Sequence, residues 1–307
     1  MKKILLLIAC FACTLTLRAQ DEAIFTHYQM FPVLINPAAA GFNDAYQLQM
    51  NARAQWTGFP DAPQTIGAQF NGPLTKGFAI GVGVLSETAA QQNRLRAHLN
   101  YAFRFNINEN VRMAAGFSTE FQQMRLDNLA TDNNFFQPGD RIIDNNLEGI
   151  KIFDASVGVY SMFQEKTFVG VTFANLIRAR LDDMGGTVNQ PSALEYYTFL
   201  AGHRFEIVDL NFTLEPSIMA RKIKDTPGQM DINLRAGFLE EQLVAGLSYR
   251  TLGALGILLG ARLSNFAMFY SYDVSFQRFQ QYNSGSHEIS IGLTFQKKDR
   301  EFSRYND

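Results

Sequence analysis

The chain has 307 residues, 47% of them hydrophobic and 13% aromatic but only 18% charged, with a formal charge of −2. That balance supplies no basic surface for nucleic acid. Its two cysteines, Cys10 and Cys13, lie so near the start that a processed, exported chain would carry no thiol or disulfide.

The chain opens Met1-Lys2-Lys3 and runs apolar from Ile4 to Leu17, ending in Leu17-Arg18-Ala19. A bilayer needs ~20 apolar residues, so this stretch predicts a cleaved secretory signal over residues 1–19 rather than an uncleaved anchor. Gln20 would be the first mature residue, leaving 24 basic against 29 acidic residues and a formal charge of −5. Residues 20–43 follow, among them Met30–Phe42, "MFPVLINPAAAGF". Two prolines, an alanine run and a glycine suit neither a regular strand nor a long helix. Yet Phe31, Leu34 and Ile35 need burial. Two readings stay open for this segment: it folds into the opening of whatever follows, as a partial plug, or it docks a periplasmic partner.

From residue 44 to 295 the dominant signal is period-two alternation. In "AYQLQMNARAQW" the set Tyr46, Leu48, Met50, Ala52, Ala54 and Trp56 is apolar, and the complementary set Gln47, Gln49, Asn51, Arg53 and Gln55 is polar. A strand turns alternate side chains to opposite faces, so one face is dry and the other wet. The pattern predicts fourteen strands, at 45–56, 64–72, 77–86, 92–105, 110–122, 152–163, 167–175, 194–204, 208–222, 228–239, 242–251, 255–263, 265–276 and 286–295. Sandwich strands are typically ~5–6 residues, whereas a tilted transmembrane strand needs ~9–11. Most of these runs reach the longer range. Taken in order, every second connection is tight: Gly72–Lys76, Asn106–Glu109, Gln164–Lys166, Phe205–Ile207, Glu240–Glu241 and Ser264–Asn265. Most of the others are longer, notably Met124–Lys151 and Leu176–Ala193, with Leu252–Leu255 the exception. Short turns on one side and long loops on the other describe an outer-membrane β-barrel. An even strand number puts both barrel ends on the short-turn side, so both termini are expected in the periplasm, with residues 296–307 as a polar tail.

The wet face would then line a lumen. Arg53, Arg94, Arg96, Arg112, Arg235 and Arg250 share it with Glu120, Asp154, Glu215, Asp231, Asp273 and Glu288. Mixed signs predict cross-lumen ion pairs; a selective channel lining would need one dominant sign. Little in the chain speaks for catalysis. It has no P-loop, no dinucleotide-binding glycine pattern after a strand and no G-x-S-x-G elbow. His27, His98, His203 and His287 are scattered, without zinc-ligand spacing. Asp182-Asp183 and the stretch ending at Asp140 could hold calcium but lack EF-hand spacing and read as solvated loops. No cofactor or metal is expected.

Two neighbouring stretches carry a family likeness. "FPVLINPAAAGF" followed by "ARAQWTGFPDAPQT" resembles the N-terminal signature of the PorP/SprF family, outer-membrane proteins of the type IX secretion and gliding system of Bacteroidetes. The resembling positions are Phe31, Pro32, Asn36, Pro37, Ala38 and Gly41, then Arg53, Gln55, Trp56, Gly58, Phe59, Ala62, Pro63 and Thr65. The ending "SGSHEISIGLTF" also looks like the family's last strand. Asp61 stands where the family commonly has glycine, and the C-terminal tail is a second departure. The resemblance implies a non-enzymatic barrel whose signature residues are structural or partner contacts. The implied partners are outer-membrane lipid, an OmpA-like peptidoglycan-binding lipoprotein, periplasmic ring components of the motor and, in some members, a surface adhesin. The competing expectation for the same architecture is a porin or solute transporter.

Overall fold

The computed structural model describes residues 25–127, 147–177, 179–181, 196–224, 226–251, 253–276 and 283–296. The expected signal (1–19), the tail beyond Gln296, and the acidic groups at Asp140 and Asp182-Asp183 lie outside the described residues.

Sixteen strand segments follow in chain order: β1 (Ala45–Ala54), β2 (Gln64–Pro73), β3 (Phe78–Ala89), β4 (Gln92–Asn108), β5 (Val111–Leu126), β6 (Ile150–Phe163), β7 (Thr167–Phe173), β8 (Ala179–Arg180), β9 (Tyr197–His203), β10 (Phe205–Ile207), β11 (Phe212–Lys222), β12 (Gln229–Phe238), β13 (Leu243–Arg250), β14 (Ala254–Leu263), β15 (Phe266–Ser275) and β16 (Ser286–Gln296). β9 and β10 both pair with β11 and form one stave interrupted at Arg204, while β8 is a two-residue ladder on β6. Fourteen staves therefore stand side by side, each antiparallel to the next, and β1 pairs with β16 from Ala45–Gln296 to Ala54–His287. That last ladder closes the sheet into a barrel, which removes both edges.

The faces are inverted relative to a soluble sheet. Met50, Ile66, Val84, Leu95, Val159 and Leu259 are exposed on the outside, while Gln49, Asn51, Arg53, Asn100, Asp231 and Ser290 are buried inside. An apolar outer band is what lipid requires. Exposed Phe103, Phe105, Phe163, Phe205, Phe238, Phe266 and Phe295 gather near the short turns, where amphipathic and aromatic rings sit at a membrane interface.

Two sequence expectations shift. Residues 205–207 form β10 rather than a turn. The reversal falls on a 3-10 turn at Val208–Leu210, closed by Asn211 in the left-handed region (φ 47°). The alternation of "RFEIVDLNF" concealed it, because Val208 and Leu210 keep the strand period while standing 84% and 74% exposed in the turn. The first strand stops at Ala54, not residue 56, because Trp56 adopts φ 48° and leaves the ladder.

Ahead of β1, residues 25–44 fold into three short 3-10 turns, His27–Gln29, Pro32–Leu34 and Pro37–Ala39. Pro32 and Pro37 each open a turn, where a fixed φ is pre-organised and a missing N–H costs nothing. This segment lies inside the barrel, against the inward faces of strands all round the wall.

Candidate functional site: the occupied lumen

Three apolar clusters seat the N-terminal segment. Tyr28, Ala38 and Phe42 pack with Ala114, Tyr160, Leu200 and Met219 from β5, β6, β9 and β11. Phe31 packs with Val244, Leu258 and Phe269 from β13–β15, edge to face on Phe269 at 5.9 Å between centroids. Val33 and Ala40 meet Ala79 and Ala102 from β3 and β4. Phe31, Val33, Ala38, Ala40 and Phe42 are all 6% exposed or less. Burial of this kind is worth ~25 cal/mol per Å² of apolar surface, so these anchors dominate the seating.

Asn36 and glycines make the closest approach. The Asn36 side chain accepts from the Ala38 backbone N–H at 2.9 Å, capping its turn, and donates to the Val159 carbonyl on β6 at 2.9 Å. Such proximity demands absent side chains on the wall. A Cβ at Gly158 would stand 2.3 Å from Asn36 Oδ1, and one at Gly116 would stand 2.3 Å from the Ala38 backbone nitrogen. Gly116 and Gly158 are register partners on β5 and β6. Together they form a smooth patch on which the Asn-Pro-Ala turn rests. Gly41 takes φ 58°, with its N–H donating to Asn71 Oδ1 at 2.9 Å, and a Cβ there would strike Ala79 at 2.7 Å. At the entry to β1, Arg104 holds Asp44, and Arg112 donates to the Phe42 carbonyl at 3.1 Å.

The other end of the segment is held by charge. Arg53, one residue from the end of β1, pairs with Glu288 on β16 at 2.9 Å and with Asp273 on β15 at 2.7 Å. Glu288 in turn accepts the backbone N–H groups of Thr26 (2.8 Å) and His27 (3.0 Å) through its two oxygens. Thr26 Oγ1 donates to Asp273 at 3.3 Å. His27 is fully buried with Nδ1 against Ser290 Oγ at 2.5 Å and Glu288 at 3.2 Å. Burial pushes its pKa below the ordinary value; the Glu288 carboxylate opposes this and the Arg53 guanidinium adds to it. Neighbouring pairs continue the network, Arg250 with Asp231 at 3.2 Å and Arg235 with Glu215 at 2.6 Å. The mixed-sign lumen read from the sequence is thus internally paired at these positions. Between the segment and the barrel wall lies a cavity of about 200 Å³, lined by Phe25, Ile35, Gln69, Arg96, His98, Glu120, Asp154 and Arg221 among others.

The signature residues divide into two places. Phe31, Asn36, Pro37, Ala38, Gly41 and Arg53 converge in the lumen, the first five on the segment and Arg53 on the wall that grips it. Gln55, Trp56, Gly58, Phe59, Ala62 and Pro63 sit on the first long connection at the rim instead. There the Gln55 N–H donates to the Pro63 carbonyl at 2.9 Å and the Trp56 N–H to Ser286 Oγ at 3.1 Å. Thr57 and Gly285 join this connection to the last one at 2.8 Å. Gly58 (φ 97°) and Asp61 (φ 54°) are both left-handed, which explains a glycine preference at the latter position. Glu288 is read from the sequence as a lumen-facing carboxylate, but its hold on two successive amides and the glycine pair are not. Alternation places them inward without saying what they touch. Among the described residues no group of three or more His, Cys, Asp or Glu could hold a metal ion.

Solved barrels share the architecture. The Ralstonia pickettii toluene transporter TbuX superposes with a TM-score of 0.53 at 10% identity, covering 92% of this chain and 96% of its own. The CymD monoaromatic hydrocarbon channel gives 0.55 at 12% identity over 89% and 93%. The TodX deltaS2S3 mutant monoaromatic hydrocarbon channel gives 0.51 at 9% over 86% and 94%. At such identities the likeness is one of fold. No curated protein matches the chain. The family model described as "Type IX secretion system membrane protein PorP/SprF" matches residues 17–293, and the chain belongs to that family.

Proposed function

We propose that this protein is a non-enzymatic scaffold of the type IX secretion and gliding machinery, exported by a cleaved signal peptide to the outer membrane. In this reading the barrel is closed by its own N-terminal segment, and its work is to anchor other components. Those are periplasmic ring proteins and an OmpA-like peptidoglycan-binding lipoprotein on the short-turn side, and a surface adhesin on the long-loop side. The observation that carries the reading is the occupied lumen: a segment with Phe31, Val33, Ala38 and Phe42 buried against the wall runs through it. Its signature residues are structural, with the rim set from Gln55 to Pro63 offered to partners.

Affinity purification of the native protein from cells tests this. Co-purification of periplasmic motor or surface components, together with a closed barrel in planar bilayers, is the expected result. A partner-free barrel that conducts steadily would sink it. The second reading is a transporter for small solutes, favoured by the cavity of about 200 Å³ beside the segment and by likeness to barrels described as a toluene transporter and a monoaromatic hydrocarbon channel. It requires flux through the intact chain.

A further inference from the structure

We infer that the lumen holds a binding site for a small organic carboxylate with an apolar body. Its anionic head meets Arg96, His98 and Gln69 on the wall, and its body lies against Phe25, Val33 and Leu34 of the N-terminal segment. All of these residues line the cavity of about 200 Å³.

Strand register builds the polar side. On the inner faces of β1 to β6, one row of partners runs Gln49, Gln69, Gly83, His98, Glu120 and Asp154. Arg96 is the next inward residue of β4, since alternate residues share a face. A Cβ at Gly83 would stand 2.5 Å from His98 Cε1, so the bare glycine lets the imidazole lie across β3.

Around this row the carboxylates are engaged and the donors are not. Glu120 accepts from Gln122 Nε2 at 2.6 Å, and Asp154 Oδ1 accepts the N–H groups of Ala155 and Ile177 at 2.7 and 3.2 Å. Gln69 is only 5% exposed, yet its Nε2 finds no acceptor. Arg96 Nε is also buried without one, and both amide atoms of Gln49 lack partners. Arg53, Arg104, Arg235 and Arg250 each pair with a carboxylate, whereas Arg96 forms no ion pair among the described residues. Ordered water can satisfy an amide, but a guanidinium facing a partly apolar chamber calls for an anion. A carboxylate fits the planar fork with two parallel hydrogen bonds.

The segment supplies the other half. Phe25 belongs to none of the three apolar clusters that seat the segment, and with Val33 and Leu34 it gives the chamber an apolar side. A cavity of about 150 Å³ suffices for benzene, so the body is an aromatic ring or an aliphatic chain of similar bulk. A bare inorganic anion would leave the apolar side unused, and an uncharged aromatic would leave Arg96 unpaired. The site stands whether the barrel anchors partners or conducts.

Isothermal titration of the full chain in non-ionic micelles, with blank micelles subtracted, tests it using phenylacetate and hexanoate. The comparison compounds are 2-phenylethanol and inorganic phosphate. The expected result is saturable one-site binding of phenylacetate or hexanoate, with both comparison compounds weaker by about tenfold or more. Arg96→Gln should weaken the carboxylate by about tenfold or more without lowering the unfolding midpoint, because no protein partner is lost. Gln69→Leu should weaken it by about threefold. No saturable binding of either carboxylate overturns the inference. So does equal affinity for the alcohol, which marks an apolar cavity alone, or for phosphate, which marks a general anion site. Unchanged affinity in Arg96→Gln overturns it too; should that variant not fold, unchanged affinity in Gln69→Leu does so in its place. None of these readouts measures conductance or partner capture, so failure here and failure of the proposed function are told apart.

Discussion

The two ends of the N-terminal segment are held by different physics. Near the start of β1, contact is chiefly apolar and steric: Phe31, Phe42 and the Asn36–Ala38 turn sit on alanine, aromatic and glycine positions of the wall, with Arg104 and Arg112 pairing Asp44 at its foot. Near the long connections, contact is ionic: Glu288 and Asp273 hold two amides and a hydroxyl, and Arg53 balances the carboxylates. Apolar packing loses contacts gradually, whereas a buried charge network fails as a unit when one partner goes. The first end is a fixed foundation and the second a latch. The difference also says which end can respond to pH, since the second contains a histidine, His27, whose pKa burial pushes below the ordinary value.

The largest effect is expected from removing the hub of the latch. Arg53→Ala leaves Glu288 buried without its cation and Asp273 with Arg250 alone, at 3.8 Å, at a cost of about 3–5 kcal/mol. Thermal unfolding in detergent, followed by heat-modified gel mobility, should show a lower midpoint. Planar bilayers should show intermittent conductance. A variant as stable and as closed as the parent would reduce the latch to decoration.

Next comes the glycine floor. Gly116→Leu drives a side chain into the backbone of Ala38, where an added Cβ alone already stands 2.3 Å away. Overpacking of this kind costs about 1–3 kcal/mol. The segment should lift while the barrel persists, so trypsin should cut near Lys76 or Arg104 no faster, but conductance should become continuous. If Gly116→Leu stays closed, the seat is softer than the geometry says.

Asn36 separates capping from anchoring. Asn36→Ala loses the cap and the bond to the Val159 carbonyl, for about 1–2 kcal/mol. Asn36→Asp keeps an acceptor for the Ala38 N–H but has no donor for that carbonyl, so it should not rescue full stability. Equal midpoints for parent and Asn36→Asp would assign the whole role to the cap.

The smallest effect is on pH. Burial holds His27 neutral in the fold, so its folded pKa lies below the ordinary value of 6.5. The unfolded chain then binds more protons in the window just below that value, and stability rises with pH across it. His27 thus favours the fold fully above about pH 6.5 and less as the pH falls through that window. Midpoints measured between about pH 7.5 and 5.5 should drop for the parent and flatten for His27→Gln. A parallel drop in both would place the titration elsewhere.

Much of this was legible along the chain. Strand after strand was set by alternation alone, because a period of two decides which face meets lipid wherever one side is greasy and the other polar. Arg53, Asp273 and Glu288 could be placed inward by the same rule. Their meeting could not, since it depends on a ladder closing β1 onto β16 across more than two hundred residues. Residues 205–211 misled for a related reason: Val208 and Leu210 kept the rhythm of a strand inside a turn.

By itself, then, the sequence determined an alternating, closed, lipid-facing wall with a polar interior, since local side-chain periodicity is sufficient for that. What only the tertiary structure decided was the use of the interior. A proline-stiffened segment lies along it, resting on Gly116 and Gly158 and gripped by Glu288, because contacts between distant strands exist only once the barrel has closed around it.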